Sequence, residues 1–126
     1  MTAIGIHHVS IGSHDVAASI EFFGWLGLTV VQTRPDFPGI KGAWLQAGEQ
    51  QVHLIGTTKD TPGIENHFAF IVEDLDATLD VLRTHGVEGR RSAHTAGAGH
   101  QAFVHDPSGN VIELNQSDHE PTIAAI

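Results

Sequence analysis

The feature that most constrains this chain is that it repeats itself. With His8 and His67 taken as origins, Asp15 and Asp74 each follow by seven residues, and Gly27 and Gly86 each follow by nineteen. His53 lies 45 residues after the first origin, and Glu113 lies 46 after the second. Self-similarity of this kind means that one supersecondary unit is used twice. A chain of 126 residues has room for one domain with a real core. The expectation is a single domain over 1–126, built from modules 1–58 and 59–116 with a tail over 117–126.

Each module reads as βαβββ. The first strand is expected at about Ile4–Gly12 and again at Asn66–Val72. In "EDLDATLDVLRTHG", Asp74 is placed as an N-cap, Leu75, Leu79 and Leu82 recur at helical spacing, and Gly86 stops the helix. In "SHDVAASIEFFGWLG", Val16, Ile20 and Phe23 share a face and Gly27 is the stop. Three strands follow in each module, near Thr29–Thr33, Ala43–Ala47 and Gln51–Ile55, then Val87–Arg91, Gln101–His105 and Val111–Asn115. "AGEQQ" and "DPSGN" read as hairpin turns, and "RPDFPGIKG" and "SAHTAGAGH" as loops, the second of them mobile.

Strand alternation then sorts the side chains into two faces. Val9 and Ile11, Val52 and Leu54, Phe68 and Phe70, and Ile112 and Leu114 form apolar faces suited to lie under helices. The opposite faces carry His8, His53, His67 and Glu113. The neighbour of His8, His7, falls on the helix side or at the sheet edge, because adjacent strand residues cannot share one environment. A curled sheet would gather the four polar groups on its concave side. Three imidazoles and a carboxylate suit Zn, Ni, Co, Mn or Fe(II) better than Ca or Mg, and they leave two positions on an octahedral ion for water or substrate. Glu113 is the candidate base. Trp44 is a candidate wall for a substrate, Gln101 and Phe103 share the same face, Arg34 could meet an anionic group, and His100 could act as a mobile acid or base.

Composition narrows the function. Six Lys and Arg against fifteen Asp and Glu give a net charge of −9, too few cations for a nucleic-acid surface. There is no cysteine, so thiolate metal sites and cysteine catalysis are excluded. No apolar run approaches membrane-spanning length and no basic-then-apolar leader precedes the first strand, so a cytoplasmic, membrane-free chain is expected.

The pieces "HHVSI", "HFAFIVEDLDATLDVLRTHGV" and "HDPSGNVIEL" make residues 4–116 resemble the vicinal oxygen chelate superfamily. That group holds glyoxalase I, fosfomycin-resistance and bleomycin-resistance proteins and extradiol dioxygenases. The resemblance implies an α+β fold, two βαβββ modules in a curled mixed sheet with helices on the convex side. It implies that His8, His67 and Glu113 match metal-ligand positions, with His53 at a fourth position that varies among relatives. It implies one divalent transition metal per site, a small-molecule substrate, and a homodimer in which His8 and His53 of one chain meet His67 and Glu113 of the other. The favoured activity is a lyase or isomerase of glyoxalase type, working through a metal-stabilised enediolate-like intermediate. The alternatives are an Fe(II) extradiol-type dioxygenase and a metal-free binding or resistance protein. "FFGWLGL" departs from the usual Phe-Tyr, three residues, Leu-Gly pattern, which predicts a tighter or bent end to the first helix. Arg34 and Lys41 are the only cations among residues 1–58, which argues against a glutathione thioester as substrate.

Overall fold

The computed structural model describes residues 2–93 and 99–116. Most of "SAHTAGAGH" and the tail after Gln116 lie outside the described residues. The described residues form two compact units: those up to 61 together with Asp106–Asn110, and the remainder.

The first unit contains β1 (His8–Ser13), α1 (Val16–Trp25), β2 (Thr29–Val30), β3 (Gly42–Ala47) and β4 (Gln50–Gly56), in the sheet order β1-β4-β3-β2. The second contains β5 (Phe68–Ile71), α2 (Leu75–Thr84), β6 (Arg90–Arg91), β7 (His100–His105) and β8 (Val111–Gln116), in the order β5-β8-β7-β6. In each sheet the first and last strands pair in parallel and the other pairs are antiparallel. The architecture is α+β, with two four-stranded mixed sheets and one helix on each. The registers correspond as well: Ser10 faces His53 and Ala69 faces Glu113, so the one-residue difference in spacing is absorbed between the strands.

The two helices begin and end alike. Asp15 and Asp74 are extended N-caps whose carboxylates accept the backbone N–H of Ala18 (3.1 Å) and Ala77 (3.0 Å). Gly27 and Gly86 have φ of +90° and +82°. At each, the N–H of the following residue bonds back across the last turn, Leu28 to the Phe23 carbonyl and Val87 to the Leu82 carbonyl. This αL terminator admits glycine at little cost because there is no Cβ to clash. Both helices run ten residues and close with the same bonds, Leu26 to the Phe23 carbonyl and His85 to the Leu82 carbonyl, so the hydrogen bonding at the end of α1 is no tighter than at the end of α2.

Sheet alternation is obeyed closely. Leu45, Val52 and Leu54 are buried beneath α1, and Ala102, Val104, Ile112 and Leu114 beneath α2. The buried face of α2 is Leu75, Leu79 and Leu82, as its spacing predicts. That of α1 is Ser19, Phe22 and Phe23; Val16 and Ile20 are only half-buried. The Ser19 and Ser13 hydroxyls satisfy one another at 2.6 Å, which lets a polar residue occupy a core-facing turn. The first strand begins at His8 rather than Ile4, because its partner among the described residues, β4, begins at Gln50. Ile4 and Ile6 are left exposed. Likewise Asn66 closes a single 3-10 turn, Ile64–Asn66, and the strand starts at Phe68.

The "DPSGN" turn is a structural knot in the first unit. The buried Asp106 carboxylate accepts the backbone N–H of Ser108 (3.0 Å) and Asn110 (2.8 Å) and the Asn110 side-chain amide (2.9 Å). That amide also donates to the Gly12 carbonyl at the end of β1 (2.8 Å), and the Ser108 hydroxyl accepts the His14 N–H (2.8 Å).

Candidate metal centre

The open face of the first sheet carries a ladder of rings. Trp44 and His53 are cross-strand partners on β3 and β4 and stack at 4.5 Å with 10° between planes. His8 stacks on the other face of His53 at 3.9 Å and 13°. Phe37 tilts against Trp44 at 6.3 Å, and the Arg34 guanidinium lies 5.0 Å from the Phe37 ring centre. Arg34 is half-buried: Nη1 and Nη2 donate to the carbonyls of Pro35 and Ile40, both at 3.4 Å, and its buried Nε has no partner among the described residues. Trp44 is therefore on the open face, where alternation puts it, packed against a candidate ligand.

His7 and His8 are not kept apart, as strand alternation would have them. His7 precedes β1, so strand alternation does not govern it, and its Nδ1 meets the His8 Nδ1 at 2.9 Å. One of the two nitrogens must carry the proton. The ring of His8 is thus anchored through Nδ1, and its Nε2 has no hydrogen-bond partner among the described residues.

His53 is held through Nε2, which bonds the Gln51 Oε1 at 2.8 Å. Its pKa lies below the ordinary histidine value of 6.5, first because burial penalises the charged ring and then because His8, His7 and Arg34 repel the added charge. The neutral, lone-pair-bearing form that a metal needs is favoured.

In the second unit His67 and Glu113 form the complementary pair. His67 stands just before β5 and Glu113 in the middle of β8, and His67 Nε2 is 3.0 Å from Glu113 Oε1. His67 Nδ1 donates to the Ile64 carbonyl at 2.5 Å, so the 3-10 turn fixes the tautomer. Two acceptors cannot face each other at 3.0 Å unless a proton or a cation lies between them. The pKa of His67 is raised, chiefly by the Ile64 carbonyl; desolvation works against this, and the Glu113 carboxylate adds to the rise through its hydrogen bond and its charge. Glu113 Oε2 accepts the Asn115 amide at 3.2 Å. Phe103, the cross-strand partner of Glu113, meets the His67 ring edge-on at 5.4 Å. It occupies the place that Trp44 takes in the first unit.

Each unit therefore brings together two of the four expected ligands, and no group of three or more His, Asp or Glu side chains among the described residues is arranged to hold a metal ion within one chain. The donor chemistry of both pairs fits a divalent transition metal: imidazoles with anchored rings, and one carboxylate. Gln101 shares the open face of β7 with Phe103 and accepts from the Ser92 hydroxyl at 3.2 Å. His100, the first residue of β7, takes the opposite face and is exposed. Sequence reasoning overlooked the contact between His7 and His8 and the amides of Gln46 and Gln51 behind His53. Alternation already put Gln46 with Trp44 and Gln51 with His53 on one face.

A sequence profile of the Glyoxalase/Bleomycin resistance protein/Dioxygenase superfamily matches residues 5–114. The chain is 26% identical to glyoxylase I 4 of Arabidopsis thaliana over 96% of its own length and 75% of the relative. It superposes on a structure described as a glyoxalase family protein from Bacillus anthracis with a TM-score of 0.82 at 23% identity, covering 94% of this chain and 98% of that one. A mutant of the fosfomycin resistance protein FosX from Listeria monocytogenes, solved with Mn(II) and a dihydroxypropylphosphonic acid, gives a TM-score of 0.79 at 16% identity, covering 92% and 94%. Lactoylglutathione lyase from Agrobacterium tumefaciens gives 0.71 at 17%, covering 93% and 96%.

Proposed function

The chain belongs to the glyoxalase/bleomycin resistance protein/dioxygenase superfamily, and from that membership we propose that it is a divalent-metal-dependent lyase or isomerase acting on a small substrate with neighbouring oxygens. The observation that carries this reading is the His67–Glu113 pair, with Nδ1 of the histidine committed to Ile64 and Nε2 turned to the carboxylate. The Mn(II) in the FosX structure supports a metal of this kind.

In this reading His8 and His53 of one protomer and His67 and Glu113 of its partner would hold the ion. A bound ion would supply Lewis-acid stabilisation of the negative charge left by proton removal. Glu113 would take the proton on leaving the ion, and Asn115 holds its second oxygen in place. The rings of Trp44 and Phe103 wall the two open faces beside the ligand pairs, Gln101 contacts the substrate, and Arg34 meets an anionic group on it. The paired chains form a C2 homodimer with two equivalent sites.

Metal analysis of untagged protein tests this reading. Close to one equivalent of a transition metal per chain is expected, and a metal-free protein that takes up none on titration overturns it. With metal bound, a hydroxyketone whose carbon-bound hydrogen exchanges with solvent deuterium identifies the lyase or isomerase chemistry. Oxygen consumption with a catechol and Fe(II), without such exchange, would place the chain with the dioxygenases instead.

A further inference from the structure

The proton on His53 has a direction that can be read from a backbone carbonyl. The Gly48 carbonyl can only accept a hydrogen bond, and Gln46 donates to it through Nε2 at 2.8 Å. Gln46 therefore turns Oε1 the other way, and Gln51 donates to that oxygen through Nε2 at 3.0 Å. Gln51 in turn presents Oε1 to His53 Nε2 at 2.8 Å. Each amide has its donor and acceptor ends assigned by the bond before it. The last link requires a proton on His53 Nε2.

Packing reinforces this. His8 and Trp44 cover both faces of the His53 ring, at 3.9 Å and 4.5 Å. In the metal-free chain this stack holds the ring in its plane. A half-turn about Cβ–Cγ would keep the stack but would take Nε2 away from Gln51. We propose that Gln51, held by Gln46 and the Gly48 carbonyl, is a positioning residue that fixes His53 as its Nε2–H tautomer and leaves Nδ1 as the nitrogen offered to a cation. His67 is arranged in the opposite sense, with Nδ1 tied and Nε2 offered. The role of this relay toward a metal rests on the reading above; the tautomer itself does not.

The test is long-range proton–nitrogen correlation on metal-free, ¹⁵N-labelled protein at a pH where His53 is neutral. The wild type is expected to show a single Nε2–H tautomer for His53. Gln51→Leu and Gln46→Leu should each give a mixture, the first by removing the acceptor and the second by freeing the Gln51 amide to turn over. Gln51→Glu keeps an acceptor and should restore the single tautomer. A wild-type ring protonated on Nδ1 overturns the proposal, as does a tautomer unmoved in both leucine variants when their amide spectra show a folded chain. Co(II) titration supplies the second readout, with Gln51→Leu expected to bind about tenfold more weakly. Unchanged Co(II) affinity beside a shifted tautomer overturns the metal role of the relay. A wild type that binds no Co(II) overturns the metal reading and leaves the tautomer result standing.

Discussion

His53 on β4 and His67 just before β5 are both imidazoles, and their surroundings move them in opposite directions. Burial, helped by the charges of His8, His7 and Arg34, lowers His53. The Ile64 carbonyl and then Glu113 raise His67. In the metal-free protein, ring proton resonances should therefore show His53 titrating below ordinary histidine and His67 above it. Glu113→Gln should bring His67 part of the way down, because the Ile64 carbonyl remains. The linkage signs differ accordingly. The contribution of His67 to stability is fully present below the unfolded value and is lost as pH rises through its higher folded value. That of His53 is present above the unfolded value and is lost as pH falls through its lower folded one. Removal of a ligand is a sharper test: Glu113→Ala should abolish tight Co(II) binding while the far-ultraviolet circular dichroism stays that of the wild type.

The helices and strands owe their bounds to a few positions used twice. Asp74→Ala should cost about 1 kcal/mol in urea unfolding, since the Ala77 N–H loses its acceptor. Gly42 is a different case. A Cβ there would lie 2.2 Å from the Leu54 carbonyl oxygen, which is rigid backbone in the paired strand β4. Gly42→Ala should therefore force β3 from β4 and lower stability by more than the loss of the cap, with Trp44 fluorescence shifting as the ring stack on His53 loosens. The strands beginning at His8 and Phe68 show why strand ends were misread. Apolar residues such as Ile4 and Ile6 continue the alternation, but a strand extends only where a partner offers hydrogen bonds.

For the whole molecule, the shared-site reading makes a prediction that no single chain can mimic. A chain carrying His8→Ala and a chain carrying Glu113→Ala should each lack a working site. Co-refolded, they should regain activity, because one of the two sites in each mixed dimer takes His8 and His53 from the second chain and His67 and Glu113 from the first. Random pairing makes about half the dimers mixed, so about a quarter of wild-type activity is expected. No recovery, with native mass spectrometry on one isotope-labelled chain showing mixed dimers present, would mean that each site belongs to one chain.

Much of this protein was legible in its sequence, because periodicity and local caps act over a few residues. The spacing of Asp15 and Gly27, matched by Asp74 and Gly86, marked both helices, and alternation separated Val52 and Leu54 from His53, and Ile112 and Leu114 from Glu113. Tertiary structure decided what no local rule could reach. The buried face of α1 turned on the pairing of Ser19 with Ser13, and the contact of His7 with His8 on where β1 finds its partner. The tautomers of His53 and His67 depend on Gly48 and Ile64, carbonyls whose direction is set only once the chain has folded. Hydrogen-bond direction and ring stacking need atoms placed in three dimensions, whereas the alternation of a strand needs only its order.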